Sequence, residues 1–299
     1  MNKKGFTLIE LLAVIVILAI IALIATPIVL NIISETKASA SLRSGEFYLD
    51  AIEQTILKEM LDGTQVENGT YAVMDDGKLC MEMNFDSTCV NGVDIEINGQ
   101  APDTGLVKIE DGKVTYSKLA FDGNILVSRE GTLTRYDESL NDGTPKLVLK
   151  TENGVIDNAN NFVYSFYTTE PTNFDDYDQM ILSDYFDVEN GQIEYKKNSY
   201  ETYSTGAEII LKDSNGKIVD TYTVIIFGDI NGDAMIDGLD VFELEFYLIG
   251  NKHFNRINIK AADINIDGKI TSDDNEIINS HDAWICRYDQ IRRICDENY

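Results

Sequence analysis

The chain has 299 residues, 44% of them hydrophobic, and a formal net charge of -27 from 51 acidic and 24 basic side chains. Phosphate backbones are held by Lys and Arg, so this balance argues against nucleic acid as a partner; it fits a strongly solvated surface or a chain that holds divalent cations. His253 and His281 are its two histidines, which leaves zinc and histidine-based catalysis little to work with.

The N-terminus begins Met1-Asn2-Lys3-Lys4-Gly5 and continues Phe6-Thr7-Leu8-Ile9-Glu10-Leu11-Leu12 into an apolar run that reaches Ile33, with Glu10 its single charge. A secretory signal places a short apolar core before an Ala-x-Ala-like cut. Here the basic pair and the small residue come first, so a cut at that point keeps the apolar helix in the mature chain. The run is long enough to cross a hydrocarbon core of about 30 Å, and Lys3 and Lys4 hold its start on the cytoplasmic side. A carboxylate inside such a helix is expensive unless paired, which marks Glu10 as functional.

These residues resemble the type IV prepilin family. The resemblance implies that a prepilin peptidase cuts between Gly5 and Phe6 and that Phe6 is then N-methylated. It also implies that Glu10 pairs with the free amine of Phe6 on a neighbouring subunit, and that Pro27 is the family's helix-bending proline. The partners so implied are the peptidase, the membrane before assembly, and other pilin subunits in a homo-oligomeric filament.

Beyond Ile33 the pattern turns amphipathic, with Leu42, Leu49, Ile52, Ile56, Leu57, Met60 and Leu61 at helical spacing. One long helix over 6–62 is expected, ending near Asp62-Gly63, with Pro27 and Gly45 as places for a bend. The next segment, 63–150, is strand and turn text. Tyr71–Met74 and Lys78–Met81 flank Asp-Asp-Gly, Leu106–Ile109 and Lys113–Tyr116 flank Asp111-Gly112, and Asp94–Ile97 and Asn124–Val127 are further candidate strands. The acidic, apolar-poor stretch from Asp137 to Pro145 is a linker candidate.

Four cysteines form two close pairs, Cys80/Cys89 and Cys286/Cys295, neither with CxxC spacing. Three connectivities are open, and reduced buried thiols are the bland alternative. Export to an oxidising compartment favours two short-loop disulfides.

The C-terminal part contains an internal repeat. Asp229, Asn231, Asp233, Asp237 and Asp240 recur 34 residues later as Asp263, Asn265, Asp267, Thr271 and Asp274. In a twelve-residue EF-hand-like loop these are positions 1, 3, 5, 9 and 12, and the carbonyls of Met235 and Lys269 fall at position 7. Alternating oxygen-bearing side chains suit calcium, a hard cation that takes six to eight oxygens. Ala234 stands where the sharp turn wants glycine, whereas loop 2 has Gly268, so loop 1 is expected to be the more strained.

The pair resembles a type I dockerin. That implies calcium as cofactor and a cohesin-like or surface ligand, contacted through loop positions 10 and 11 (Gly238/Leu239 and Ser272/Asp273) and a following helix, which looks short in the second repeat. The text from Phe162 to Phe227 looks like the small β-sandwich that often precedes dockerins in clostridial surface proteins, and a Gram-positive, clostridial-type source is expected with it.

The expected fold class is α+β: a long N-terminal helix on a small antiparallel sheet, then a β-sandwich and an EF-hand-like α module. The expected units are a leader over 1–5, the helix over 6–62 with its membrane or filament-core half at 6–33, and a β-rich head over 63–150. A sandwich-like domain over 155–227, a calcium module over 228–281 and a tail over 282–299 follow. The functional reading is a filament subunit, first a single-pass membrane protein and then extracellular, that displays a calcium-stabilised module. The alternative is a minor or tip pilin, or a pseudopilin, acting mainly through that module. No Gly-x-Ser-x-Gly, His-Glu-x-x-His or phosphate-loop pattern supports an enzyme.

Overall fold

A computed structural model describes residues 8–74, 76–86, 88–97, 99–129, 132–136, 143–167, 180–282, 287–290 and 294–296. The fold is α+β, with a long N-terminal helix, largely antiparallel sheets and a helical C-terminal module.

Helix α1 runs unbroken from Leu8 to Leu61 across Pro27, about 80 Å at 1.5 Å per residue. Its two halves live in different surroundings. From Leu11 to Ile33 the large apolar side chains are exposed, and α1 is long and apolar enough to cross a membrane by length and composition. The second half buries Ala38, Ser41, Gly45, Tyr48, Ile52 and Ile56, one stripe at three- and four-residue steps. Leu57, Met60 and Leu61 point away from that stripe and are exposed.

Gly45 is a packing residue inside an unbroken helix. A Cβ there would lie 2.7 Å from Leu126 and 2.8 Å from Leu133, so its bare backbone lets the helix sink onto the sheet.

The sheet under α1 contains β1 (Gly69–Val73), β2 (Leu79–Met83), β3 (Cys89–Val93), β4 (Thr104–Glu110), β5 (Lys113–Phe121), β6 (Asn124–Arg129) and β7 (Thr132–Tyr136). Both expected hairpins form, with Ala72 opposite Cys80 in one and Lys108 opposite Tyr116 in the other. Asp94–Ile97 is not a strand. The ladder there is carried by β3 and ends at Val93 opposite Leu79, while Ile95 is still buried in the head core. The Cys80–Cys89 disulfide closes the β2–β3 loop. Cys286 lies outside the described residues, and so do residues 137–142 of the expected linker.

A second sheet holds β9 (Val155–Asp157), β10 (Phe162–Tyr164), β12 (Gln192–Lys196), β13 (Glu208–Lys212) and β14 (Ile218–Val224) in the order β12-β13-β14-β10-β9. All its pairs are antiparallel except β10–β14. Beside it β8 (Lys146–Leu149) pairs with β11 (Phe186–Glu189).

The C-terminal helices are α2 (Gly238–Leu248), α3 (Arg256–Ala262) and α4 (Ser272–Asp282). At 11 residues α4 equals α2 and is not the short helix its sequence suggested. Between α2 and α3 lies a strand of two residues, β15 (Phe254–Asn255), which pairs with Met83 and Glu82 of β2. Since β3 takes one edge of β2, β1 and β15 share the other. The helical module thus contributes a strand to the head's sheet. It also shares one apolar core with the second sheet, in which Phe162, Val163, Ile209 and Val224 meet Ile236, Leu244, Phe254, Ile264 and Ile278.

Candidate functional site

The two acidic loops share most of their hydrogen bonds and differ at position 1, where Asp229 accepts from the Gly232 amide and Asp263 from that of Gly268. In loop 1 the Asp240 carboxylate accepts from the amides of Ile230 (2.7 Å), Asn231 (3.1 Å) and Asp237 (3.1 Å). In loop 2 Asp274 accepts from Ile264 (3.0 Å), Asn265 (3.2 Å) and Thr271 (2.9 Å). Asn231 accepts from the Asp233 amide as Asn265 does from Asp267, and Asp233 from Met235 as Asp267 does from Lys269. Position 9 also serves the next helix: Asp237 caps α2, and the Thr271 hydroxyl accepts from the Asp273 amide at the start of α4. Apolar residues at position 2, Ile230 and Ile264, are buried and fix each loop to the core.

Strain is shared between the loops. Ala234 at position 6 of loop 1 sits at φ +75°, where loop 2 has Gly268 at +81°. At position 4 the roles reverse: loop 1 has Gly232 at +84° and loop 2 has Ile266 at +57°. Each loop therefore holds one left-handed residue with a Cβ, and the branched isoleucine is the worse fit. Loop 1 is not singled out by strain.

Asp229 and Asp240 are fully buried. Burial pushes the Asp229 carboxyl up to about 7 and that of Asp240 up to about 8, the latter helped by the neighbouring Asp229 charge. Asp263 and Asp274 are raised for the same first reason. Desolvated carboxylates crowded into one loop need a cation, and a donor set made wholly of oxygens suits a hard one. Among the described residues no three acidic, histidine or cysteine side chains already converge as a cluster. Each loop mixes its carboxylates with a carboxamide and a main-chain carbonyl, and those carboxylates are turned onto backbone amides.

Sequence reasoning missed the wall of loop 1. The Ser204 hydroxyl and the Asn198 amide donate to the Gly232 carbonyl (2.9 and 2.6 Å), and the Thr205 amide donates to Asp229 (3.1 Å). The hydroxyl-rich run Asn198-Ser199-Tyr200-Glu201-Thr202-Tyr203-Ser204-Thr205 was the available signal.

The outer face of α2 carries Leu239 and Phe242, and Ile249 follows at its C-cap, all more than half exposed, with the Phe242 and Phe246 rings 4.2 Å apart. The positions of α4 that match Leu239, Phe242 and Phe246, 34 residues on, are Asp273, Glu276 and Ser280. Of the N-terminal site residues, Gly5 and Phe6 lie outside the described residues, while Glu10 and Pro27 are on α1. Cys295 is on β17 (Ile294–Asp296), which pairs with β16 (Arg287–Asp289).

Residues 227–281 match the family model of the dockerin type I domain, and residues 1–26 match that of the prokaryotic N-terminal methylation motif. No curated protein and no solved structure matches the chain. Dockerin type I domains bind calcium through EF-hand-like loops, and this one has two loops of fitting chemistry. The chain thus carries a prokaryotic N-terminal methylation motif at one end and a dockerin type I domain near the other, modules of structural and binding kinds. Its dockerin implies a cohesin-type partner, and its N-terminal motif implies pilin or peptidase interactions.

Proposed function

We propose that the protein is a subunit of a type IV pilus-like filament, released from its leader by cleavage between Gly5 and Phe6, that displays a calcium-stabilised dockerin. The observation that carries this reading is α1. Its first half is an apolar rod whose large side chains are exposed along its length, attached to a soluble, acidic head. Such a surface needs a cover, first the bilayer and then the same segments of other copies. Glu10 supplies register by pairing with the methylated amine of Phe6 on a neighbour, since a lone carboxylate in that core is costly.

Calcium held by the dockerin supplies positive charge to buried carboxylates. Asp229, Asn231, Asp233, Asp240 and the Met235 carbonyl hold one ion, with Asp237 acting through water. Asp263, Asn265, Asp267, Asp274 and the Lys269 carbonyl hold the other, with Thr271 at the water position. The cohesin-type or surface partner docks on α2, where Leu239 and Phe242 are exposed; this apolar face also favours the second reading, a minor or tip subunit whose main work is binding.

The test is assembly. Wild-type protein is expected to give surface filaments visible by electron microscopy, whereas Glu10→Ala and Gly5→Leu are expected to leave subunits in the membrane. Normal filaments from both variants would remove the filament reading.

A further inference from the structure

Lys118 lies on the outer face of β5, and its side chain is fully buried (0% exposed) under the second sheet. Its Nζ donates to Asn161 Oδ1 at 2.6 Å and lies 3.1 Å from Asp220 Oδ2. The other end of the same carboxylate, Asp220 Oδ1, accepts from Asn161 Nδ2 at 2.6 Å and from the Tyr116 hydroxyl at 2.9 Å. The rings of Tyr136 and Tyr222 stand 4.9 and 5.1 Å from Nζ. Asn161 is itself held in the left-handed region at φ +54°. An amine, a carboxamide and a bridging carboxylate, all buried at the join between two sheets, form more than a stabilising ion pair. Such a pair seldom repays its own desolvation, and a buried primary amine held against a carboxamide is placed as a nucleophile.

We propose that this triad forms an intramolecular isopeptide bond between Lys118 Nζ and Asn161 Cγ, with Asp220 carrying the protons. Asp220 takes a proton from the ammonium, and the freed amine attacks Asn161 Cγ, whose own oxygen it already touches. The carboxyl polarises the tetrahedral intermediate and then hands its proton to Nδ2, which lies against it. The Nζ–Cγ bond forms as the Cγ–Nδ2 bond breaks. Of the three ammonium hydrogens one stays on the new amide and two leave on Nδ2. The nitrogen departs as ammonium and Asp220 returns to carboxylate, so no oxidant, cofactor or second substrate is required. Asn161 and Asp220 also line a cleft of about 510 Å³, which gives the leaving group an exit. Tyr136 and Tyr222 shield the amine from water. The reaction runs once, on the chain itself, and joins the pilin-like head to the second sheet.

The test is mass spectrometry of the purified full-length chain, reduced and unfolded. The wild type is expected to be lighter by one ammonia than its sequence requires. Its digest is expected to contain a branched peptide joining the Lys118 and Asn161 segments. Lys118→Arg, which keeps the charge without the primary amine, and Asn161→Ala should both abolish the branch. Asp220→Asn should slow its formation by about a hundredfold or more. Recovery of the two wild-type segments only as separate linear peptides would overturn the proposal, and this needs no variant to fold. A branch to the Asp220 peptide with loss of water would overturn the choice of Asn161. Cross-linking at the wild-type rate in Asp220→Asn would overturn the role given to that carboxylate.

Discussion

Replacing Asp240 by alanine removes one acceptor from three backbone amides at once, those of Ile230, Asn231 and Asp237. A buried amide left without a partner costs about 1–3 kcal/mol. The lost carboxylate is itself desolvated, with its carboxyl pushed up to about 8, and this offsets part of the loss. The net cost in chelator should be about 2–5 kcal/mol, which for a unit of roughly 200 residues lowers Tm by about 5–20 °C. Calcium adds a second difference. A site filled at a thousandfold excess over its Kd stabilises by about 4 kcal/mol, and the variant should lose that increment for loop 1 while keeping loop 2. Asp240→Asn separates the two effects in part, since its one oxygen can still accept the amides of Ile230 and Asn231, while its NH2 faces that of Asp237 and the charge is gone. It should melt between the wild type and Asp240→Ala in EGTA and gain less from calcium than the wild type does. The assay is calorimetric melting of the full-length chain in detergent, with and without calcium. If Asp240→Ala melts with the wild type in EGTA and shifts equally in calcium, the account of loop 1 fails.

Proton competition gives a pH dependence with a defined sign. Burial raises the Asp229 and Asp240 carboxyls to about 7 and about 8, above the unfolded value of about 3.9. Their charged forms therefore destabilise the calcium-free fold fully above about pH 8, and this cost begins to fade as pH falls through 8 and 7 and is gone only below the unfolded value. Calcium needs the charged forms, so its half-saturation concentration in a titration should rise on acidification from pH 8 to 6, and the gap in Tm with and without calcium should narrow. Ala234→Gly relieves one left-handed residue and should stabilise by about 0.5–1 kcal/mol in denaturant melts, whereas Ile266→Gly also removes a side chain packed against the core and should give no net gain. Reduction of Cys80–Cys89, a separation of nine residues, should cost about 2–3 kcal/mol, read as a lower Tm in reductant. Phe254 is fully buried and stacks on Tyr247 at 4.2 Å; Phe254→Ala should cost about 3–5 kcal/mol and speed amide exchange in both β2 and α2.

Elements with a local signature were legible in the sequence. The N-terminal helix announces itself by an unbroken apolar run, the hairpins by Asp-Gly turns, and the calcium loops by a repeated register. What depends on distant partners was not. Asp94–Ile97 has strand-like alternation, yet its ladder position was already taken by Cys89–Val93. Leu57, Met60 and Leu61 sit at helical spacing, but the buried stripe is set by where the sheet ends, and small residues such as Ala38 and Gly45 are part of it. Lys118, Asn161 and Asp220 are spread over 103 residues of sequence, and nothing local to any of them hints at the others. The Ile266 strain was hidden for another reason: the glycine rule at position 6 draws attention away from position 4.

The strand that the dockerin lends to the head has a geometric consequence. A binding module on a tether samples every orientation, and its partner is held only within reach. Here Phe254 and Asn255 are hydrogen-bonded into the sheet beside β1, and the Tyr247 hydroxyl grips the Asn84 carbonyl at 2.7 Å. The dockerin's bearing is fixed to the same sheet that seats α1. If the proposed filament assembles, the helical symmetry of its shaft is copied onto its cargo. Partners would then be arrayed at one azimuth and one axial repeat per subunit, on a ruled scaffold whose spacing is inherited from the shaft.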